Sequence, residues 1–298
     1  MSIIRMSRIR VLTAALAATL VLAACGSSSS TPDTTVPAVT HRIVSLSPTA
    51  TEMLYAIGAG DQVVAVDSLS TYPAEVVDKV TKISAYEPSA EAILGYTPDV
   101  VLISNDMNKI TEQLQSVSSK KITVWTGAAA ATLEDVYKQI TELGALTGHD
   151  KDAATLIESM KSRIAKATEN VSAPMSAKSY FYELDNTLYS VTSNTFVGAL
   201  LKPFGFTNIA DGVEAGNDYP QLNAEVIAKA NPSIIFLADT KCCAQNAAEV
   251  SKRPGWAGFD AVKNGHVVEL DDDVASRWGP RVVDLVEQFA AAIAAANK

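Results

Sequence analysis

Histidine and cysteine are scarce, with three of each in 298 residues. His41, His149 and His266 stand at the edges of predicted elements, and none has a second ligand at metal-site spacing. Surface or capping roles are expected for them. Several enzyme signatures are missing: no Gly-x-Ser-x-Gly elbow, no phosphate loop ending in Gly-Lys-Ser/Thr and no His-Glu-x-x-His occurs. Gly58-Ala59-Gly60 lacks the third glycine of a dinucleotide fingerprint and follows a helix signal. Ser118-x-x-Lys121 lacks its companion β-lactamase elements and reads as a turn before a strand. The sequence therefore assigns no catalytic residue, no metal ligand and no resident cofactor. Basic charge is also in deficit, with 24 Lys and Arg against 33 Asp and Glu, a net −9. Residues 1–24 hold three arginines and no acids, so the remainder carries 21 bases against 33 acids, a net −12. That balance argues against nucleic acid or a basic membrane-binding surface.

Long apolar runs are nearly absent too. The one at residues 11–24 has 14 residues, short of the ~20 that cross a bilayer. Arg5, Arg8 and Arg10 precede it and Leu22-Ala23-Ala24-Cys25 closes it. A basic start followed by a short apolar run is a secretory signal, and its end resembles the lipobox of bacterial lipoproteins. This reading makes 1–24 a lipoprotein signal peptide, Cys25 the lipidation site, and 25–40 a Ser/Thr/Pro-rich flexible tether. More than one acyl chain is needed for stable anchoring. The expected location is the extracytoplasmic face of the cell membrane, held there by lipid alone. Cys242 and Cys243 then remain, adjacent in sequence: either a strained vicinal disulfide or two free thiols in a loop.

The body alternates strand and helix signals. Strands are expected at 42–46, 62–67, 99–104 and 121–126 in the first half, and at 179–184, 233–238 and 265–270 in the second. Helices are expected at 49–58, capped by Ser47 or Thr49, and at 109–119, 133–148, 193–205 and 281–298. This pattern predicts α/β architecture with mostly parallel sheets. Residues 150–171 contain no Gly or Pro and read as one helix about 33 Å long. The organisation is therefore an N-terminal lobe (41–148), a single long linking helix (149–172) and a C-terminal lobe (173–298).

An internal repeat supports two lobes. Ala90-Glu91-Ala92-Ile93, Pro98 and the strand from 99 recur at an offset of 134 as Ala224-Glu225-Val226-Ile227, Pro232 and the strand from 233. Each copy opens on a cap residue, Ser89 or Asn223. A first-turn carboxylate can simply complement the helix dipole. Recurrence in both halves points further, to one exposed acid on each lobe, able to dock onto two arginines of a partner. Asp271-Asp272-Asp273 lacks the Gly and distal Glu of a calcium loop and reads as a solvated loop at a strand end.

The ordered segments RIVSLSPTATEMLYAIGAGDQVVAVD, YPAEV, SAEAILGYTPDVVLIS, YPQLNAEVIAKANPSIIFL, RPGWAGFDAVKNGHVVEL and SRWGPRVVDLVE resemble the solute-binding proteins of ABC importers for iron–siderophores, haem and cobalamin. The resemblance covers about residues 41–296. It implies two Rossmann-like lobes joined by a rigid helix, modest closure, and a non-enzymatic role. It implies cargo in the cleft: a metal chelate or corrinoid, with the iron chelate slightly preferred as the broadest class. Glu91 and Glu225 would engage arginines of an ABC permease dimer that works with a cytoplasmic ATPase. Tyr86 and Tyr219 would offer flat faces to the cargo, and the loops carrying Asn105 and Asp106, and Cys242 and Cys243, would reach the cleft. Arg277 and Trp278 are the polar–aromatic candidates, with Arg277 alternatively a surface arginine covering the last helix. The stretch DTKCCAQ departs from the family patterns. A chelatase-like enzyme and a binding or sensor lipoprotein without transport are the alternatives. Paired acids discriminate against the sensor, and the lipobox against the chelatase.

Overall fold

The computed structural model describes residues 40–169, 171 and 178–297, all within one unit spanning residues 39–298. The signal segment 1–24, the tether up to residue 39 and Cys25 lie outside the described residues. Among the described residues no helix is long and apolar enough to cross a membrane.

Two four-stranded sheets carry the fold. The first comprises β1 (Ile43–Leu46), β2 (Val63–Val66), β3 (Val100–Ile103) and β4 (Thr123–Thr126), in the order β2-β1-β3-β4. The second comprises β5 (Ser179–Glu183), β6 (Thr207–Asn208), β7 (Ile234–Leu237) and β8 (Val267–Glu269), in the order β6-β5-β7-β8. Every pairing is parallel. The orders match position for position, and so do the registers: Val100 pairs with Ile43 of β1, and Ile234 with Tyr180 of β5. The central strands β1, β3 and β7 are buried throughout, which is why they read as unbroken apolar runs: helices cover both faces of a parallel sheet.

The helices are α1 (Pro48–Ala56), α2 (Ala90–Leu94), α3 (Ile110–Val117), α4 (Leu133–Thr147), α5 (Asp150–Glu169), α6 (Phe196–Leu201), α7 (Ala224–Ala230), α8 (Ala247–Lys252), α9 (Asp260–Lys263), α10 (Asp272–Ala275) and α11 (Val282–Ala296). Their ends follow side-chain chemistry. Ser47 caps α1, its Oγ accepting from Ala50 N, and Gly58 turns the chain beyond it at φ +81°. Thr132 and Asp135 form a reciprocal capping box on α4. The repeated helices α2 and α7 are capped by Ser89 and Asn223, and each is followed by a left-handed residue before proline, Thr97 and Asn231. The linking helix α5 has 20 residues, about 30 Å.

β6 is the one strand absent from the sequence expectation. It has two residues and no apolar run; its existence depends on pairing with Ser179 and Tyr180, which local pattern does not encode.

Each lobe has its own outer core. Val44, Val101 and Leu114 belong to the first, and Phe181, Ile235 and Trp256 to the second. A third cluster runs through both: Met53, Leu54 and Ile140, Met160 of α5, then Tyr182, Phe236 and Phe289. Phe236 and Phe289 meet edge-on at 4.9 Å between centroids. Arg163 of α5 adds bonds to Asp284 and Glu287 of α11. The lobes are thus joined by a continuous core as well as by a helix, and this favours modest closure over a wide swing.

Gly198 in α6 marks a close approach. A Cβ there would lie 2.3 Å from Thr192 O, a backbone atom. Gly198→Ala is expected to destabilise by about 1–3 kcal/mol, read as a lower urea midpoint at unchanged slope. An unchanged midpoint would show that the 192–193 backbone yields freely.

Candidate functional site

In parallel α/β sheets the helices begin, and ligands bind, beyond the carboxyl ends of the strands. Here those ends face one another. Arg277, which follows β8, donates to the carbonyl of Leu69, which follows β2, at 3.3 Å. The lining of the cleft is therefore drawn from the segments after β1, β2 and β3 on one side, and after β5, β7 and β8 on the other.

Tyr86 and Tyr219 are both well exposed, at 65% and 56%. Two further exposed tyrosines, Tyr72 and Tyr189, join them at the carboxyl ends and were not singled out in the sequence. Asn105 is exposed beyond β3. Asp106 is exposed as well, but its carboxylate is engaged: Oδ1 accepts from Thr111 N and Oγ1, both at 2.9 Å.

Cys242 and Cys243 are free thiols, the first exposed and the second half-buried. Desolvation, with the neighbouring thiol, Asp272 and Asp239 adding to it, pushes the Cys242 thiol up to about 12. The Cys242 thiol is therefore protonated and weakly nucleophilic. The aspartate run beside it is not a loose solvated loop. Asp271 caps α10, and Asp271 and Asp273 bind Lys241 Nζ at 2.6 and 2.8 Å. Asp272 accepts from Thr240 Oγ1 and from the backbone of Lys241 and Cys242. Burial opposes the Asp272 charge, but these donors outweigh it and hold the carboxyl below its usual range. The acids pin the cysteine loop.

Arg277 and Trp278 cross between the lobes. Arg277 donates to Glu52 of α1 at 3.2 Å and to Asp273 at 2.7 Å, besides Leu69 O. Trp278 Nε1 donates to Gln139 of α4 at 3.1 Å. Arg281 also binds Glu52, through Nε at 2.9 Å and through Nη2, and lies 4.0 Å over the Tyr72 ring. Glu52 has a side chain only 2% exposed and was missed in the sequence, although a glutamate within the apolar helix TATEMLYA was its signal.

Glu91 and Glu225 occupy the first turns of α2 and α7, exposed, and neither has an ion pair among the described residues. The three histidines lie elsewhere: His41 before β1, His149 bonded to Asp152 between α4 and α5, and His266 before β8. Among the described residues no cluster of three metal-ligating side chains occurs. A cavity of about 610 Å³ lies against α1, α5 and the start of α11, lined by Glu52, Tyr72 and Arg281 among others and by none of the sequence-predicted residues.

Two sheets of one topology, with their carboxyl ends apposed across such a cleft, define a two-lobed solute-binding protein. A family model described as periplasmic binding protein matches residues 43–274, and the chain belongs to that family. It is 34% identical over 269 residues to the uncharacterized ABC transporter substrate-binding lipoprotein YvrC of Bacillus subtilis, covering 89% of this chain and 83% of that protein. It is 29% identical over 277 residues to the cobalamin-binding protein of Halobacterium salinarum, covering 90% and 74%. The structure of the periplasmic haem-binding protein RhuT from Roseiflexus sp. RS-1 superposes with a TM-score of 0.73 at 24% identity, covering 87% of this chain and all of that one. This last likeness speaks to the fold.

Proposed function

We propose that the protein is an extracytoplasmic, lipid-anchored binding protein that captures a corrinoid between its lobes and passes it to an ABC permease. Cys25 carries the lipid. Glu91 and Glu225 dock onto the permease dimer. Tyr86, Tyr219, Asn105, Asp106 and the Cys242–Cys243 loop line the cleft, with Arg277 and Trp278 at its floor.

One observation carries the choice of cargo. The cleft is rimmed by tyrosines, while the basic side chains in the segments directly after β7 and β8, Lys241, Arg277 and Arg281, are each paired with carboxylates. Such a cleft suits a large, flat ligand of low net charge. It suits less well an anionic siderophore or the propionates of haem, which call for free guanidinium groups. The relatives named as cobalamin-binding support the same choice.

Titration of the purified chain with cyanocobalamin, haemin and a ferric hydroxamate, followed by intrinsic fluorescence and calorimetry, tests it. Cyanocobalamin is expected to bind at about 1 μM or tighter, roughly −8 kcal/mol. Binding of haemin or the hydroxamate in its place would overturn the cargo and leave capture standing. Binding of none would overturn both.

A further inference from the structure

Behind the cysteine loop two buried acids lie near one arginine, and only one of them binds it. Glu183 ends β5 with no exposure at all, and its carboxylate is gripped by Arg253, Nη1 to Oε2 at 2.7 Å and Nη2 to Oε1. Arg253 also donates to Gln245 Oε1 at 2.7 Å and stacks 4.5 Å over Trp256. Its charge is therefore matched by Glu183 alone. Asp239, two residues beyond β7, is also fully buried, and neither of its carboxylate oxygens has a hydrogen-bond partner. A buried carboxylate with no donor is not tolerated as an anion. The groups around it deepen the problem. Glu183 and Asp272 add negative charge, Arg253 is the one facing cation among the described residues and is already engaged, and burial keeps the Cys242 thiol neutral.

We propose that Asp239, Glu183 and Arg253 form a proton-binding site in which Asp239 is held as the neutral acid, its O–H turned to Glu183, and that this proton sets the shape of the Cys242–Cys243 loop at the cleft. The coupling to the loop is short. The Asp239 carbonyl accepts from Cys243 N and Gln245 N, and Gln245 in turn holds Arg253. Loss of the proton leaves two carboxylates competing for one guanidinium, and the Arg253–Gln245 bond that tethers the loop is drawn on first. Burial, followed by the charge of Glu183 and the hydrogen bond to it, raises the Asp239 carboxyl to about 7, so the site titrates near neutrality. The link to cargo rests on the corrinoid reading above; the proton site itself does not.

The sign follows from linkage. A carboxyl raised in the folded state binds its proton more tightly there than in the unfolded chain, so its contribution to stability is lost as pH climbs from about 4 to about 7. Asp239→Asn removes that loss. The melting temperature of Asp239→Asn relative to wild type should therefore grow by about 4–8 °C between pH 5.5 and 8.5. A difference that stays constant or shrinks overturns the site. Infrared difference spectra give a reading independent of folding. A carboxylic-acid carbonyl band should be present in wild type at pH 5.5, fade through about pH 7, and be missing in Asp239→Asn. Glu183→Gln should abolish it at pH 5.5, because Asp239 then ionises against Arg253; persistence of the band there would overturn the shared-proton arrangement. Cyanocobalamin affinity should weaken from pH 6 to 8 in wild type and stay flat in Asp239→Asn. A flat wild-type profile would overturn the coupling to the cleft, whereas absence of cyanocobalamin binding would sink the cargo reading and leave the spectroscopic result intact.

Discussion

The double substitution Glu91→Ala, Glu225→Ala is expected to abolish uptake while leaving cargo affinity within twofold of wild type, a margin of about 0.4 kcal/mol. Both carboxylates are exposed, both sit in the first turn of a capped helix, and neither is paired with a base among the described residues. They therefore reach a partner without breaking anything inside the protein. A charge-assisted bond to an arginine contributes about 1.5–3 kcal/mol. Losing two weakens docking by about 3–6 kcal/mol, or roughly 10²–10⁴-fold. Either single substitution should give an intermediate loss, since a two-lobed body held at one end retains half its grip. The folded state should barely register the change, because an exposed first-turn acid contributes only about 0.3–1 kcal/mol through the helix dipole. Labelled cyanocobalamin accumulation in cells, paired with calorimetry on the purified variants, separates docking from capture. Uptake that survives the double change would overturn the docking role of the two acids. Affinity falling in step with uptake would mean the acids serve the cleft.

The same two helices show why this fold was legible in one dimension. Cap, glutamate, apolar pair, proline and buried strand recur at a fixed offset of 134, and each sign has a local cause: Ser89 and Asn223 accept from the backbone N–H three residues on, and the buried strands are apolar because both faces are covered. The site was legible only in part. Tyr86 and Tyr219 are exposed aromatics in loops, found by position along the chain. Glu52, Glu183 and Asp239 are acids hidden within or beside apolar segments, and their meaning comes from partners 70 to 229 residues away or, for Asp239, from the lack of any. β6 was invisible for the same reason, a strand of two residues defined by its neighbour. Arg277 stood out as polar beside an aromatic, but which acid it meets depends on how the lobes are apposed, and no sequence window contains both.

That apposition supplies the second large effect: Glu52→Ala is expected to destabilise the protein by about 3–5 kcal/mol. Glu52 is nearly inaccessible and accepts from Arg277 and Arg281, which are themselves only 14% and 17% exposed. Its hydrogen bond is the main reason the Arg281 guanidinium holds its proton above the ordinary range. Truncating the acid strands two guanidinium groups in a site that cannot hydrate them, whereas Asp273 and the Tyr72 ring offer partial relief to one each. Glu52→Gln keeps the volume and one acceptor and should lose about half as much. Gly279 packs against the carboxylate, where an added Cβ would lie 3.2 Å from Oε2. The pair also ties α1 of one lobe to the segment after α10 of the other. Its removal should therefore speed cargo release as well as lower the denaturation midpoint, with Trp278 fluorescence reporting the loss of its bond to Gln139. Arg281→Lys separates the two effects: a single ammonium keeps the charge in place but cannot reach both Glu52 oxygens as the planar fork does. If Arg281→Lys retains the midpoint yet quickens release, Glu52 positions the lobes through geometry. If Glu52→Ala shifts the midpoint by less than about 1 kcal/mol, desolvation of the trio had cancelled its attraction, and the lobes are held together by the shared core alone.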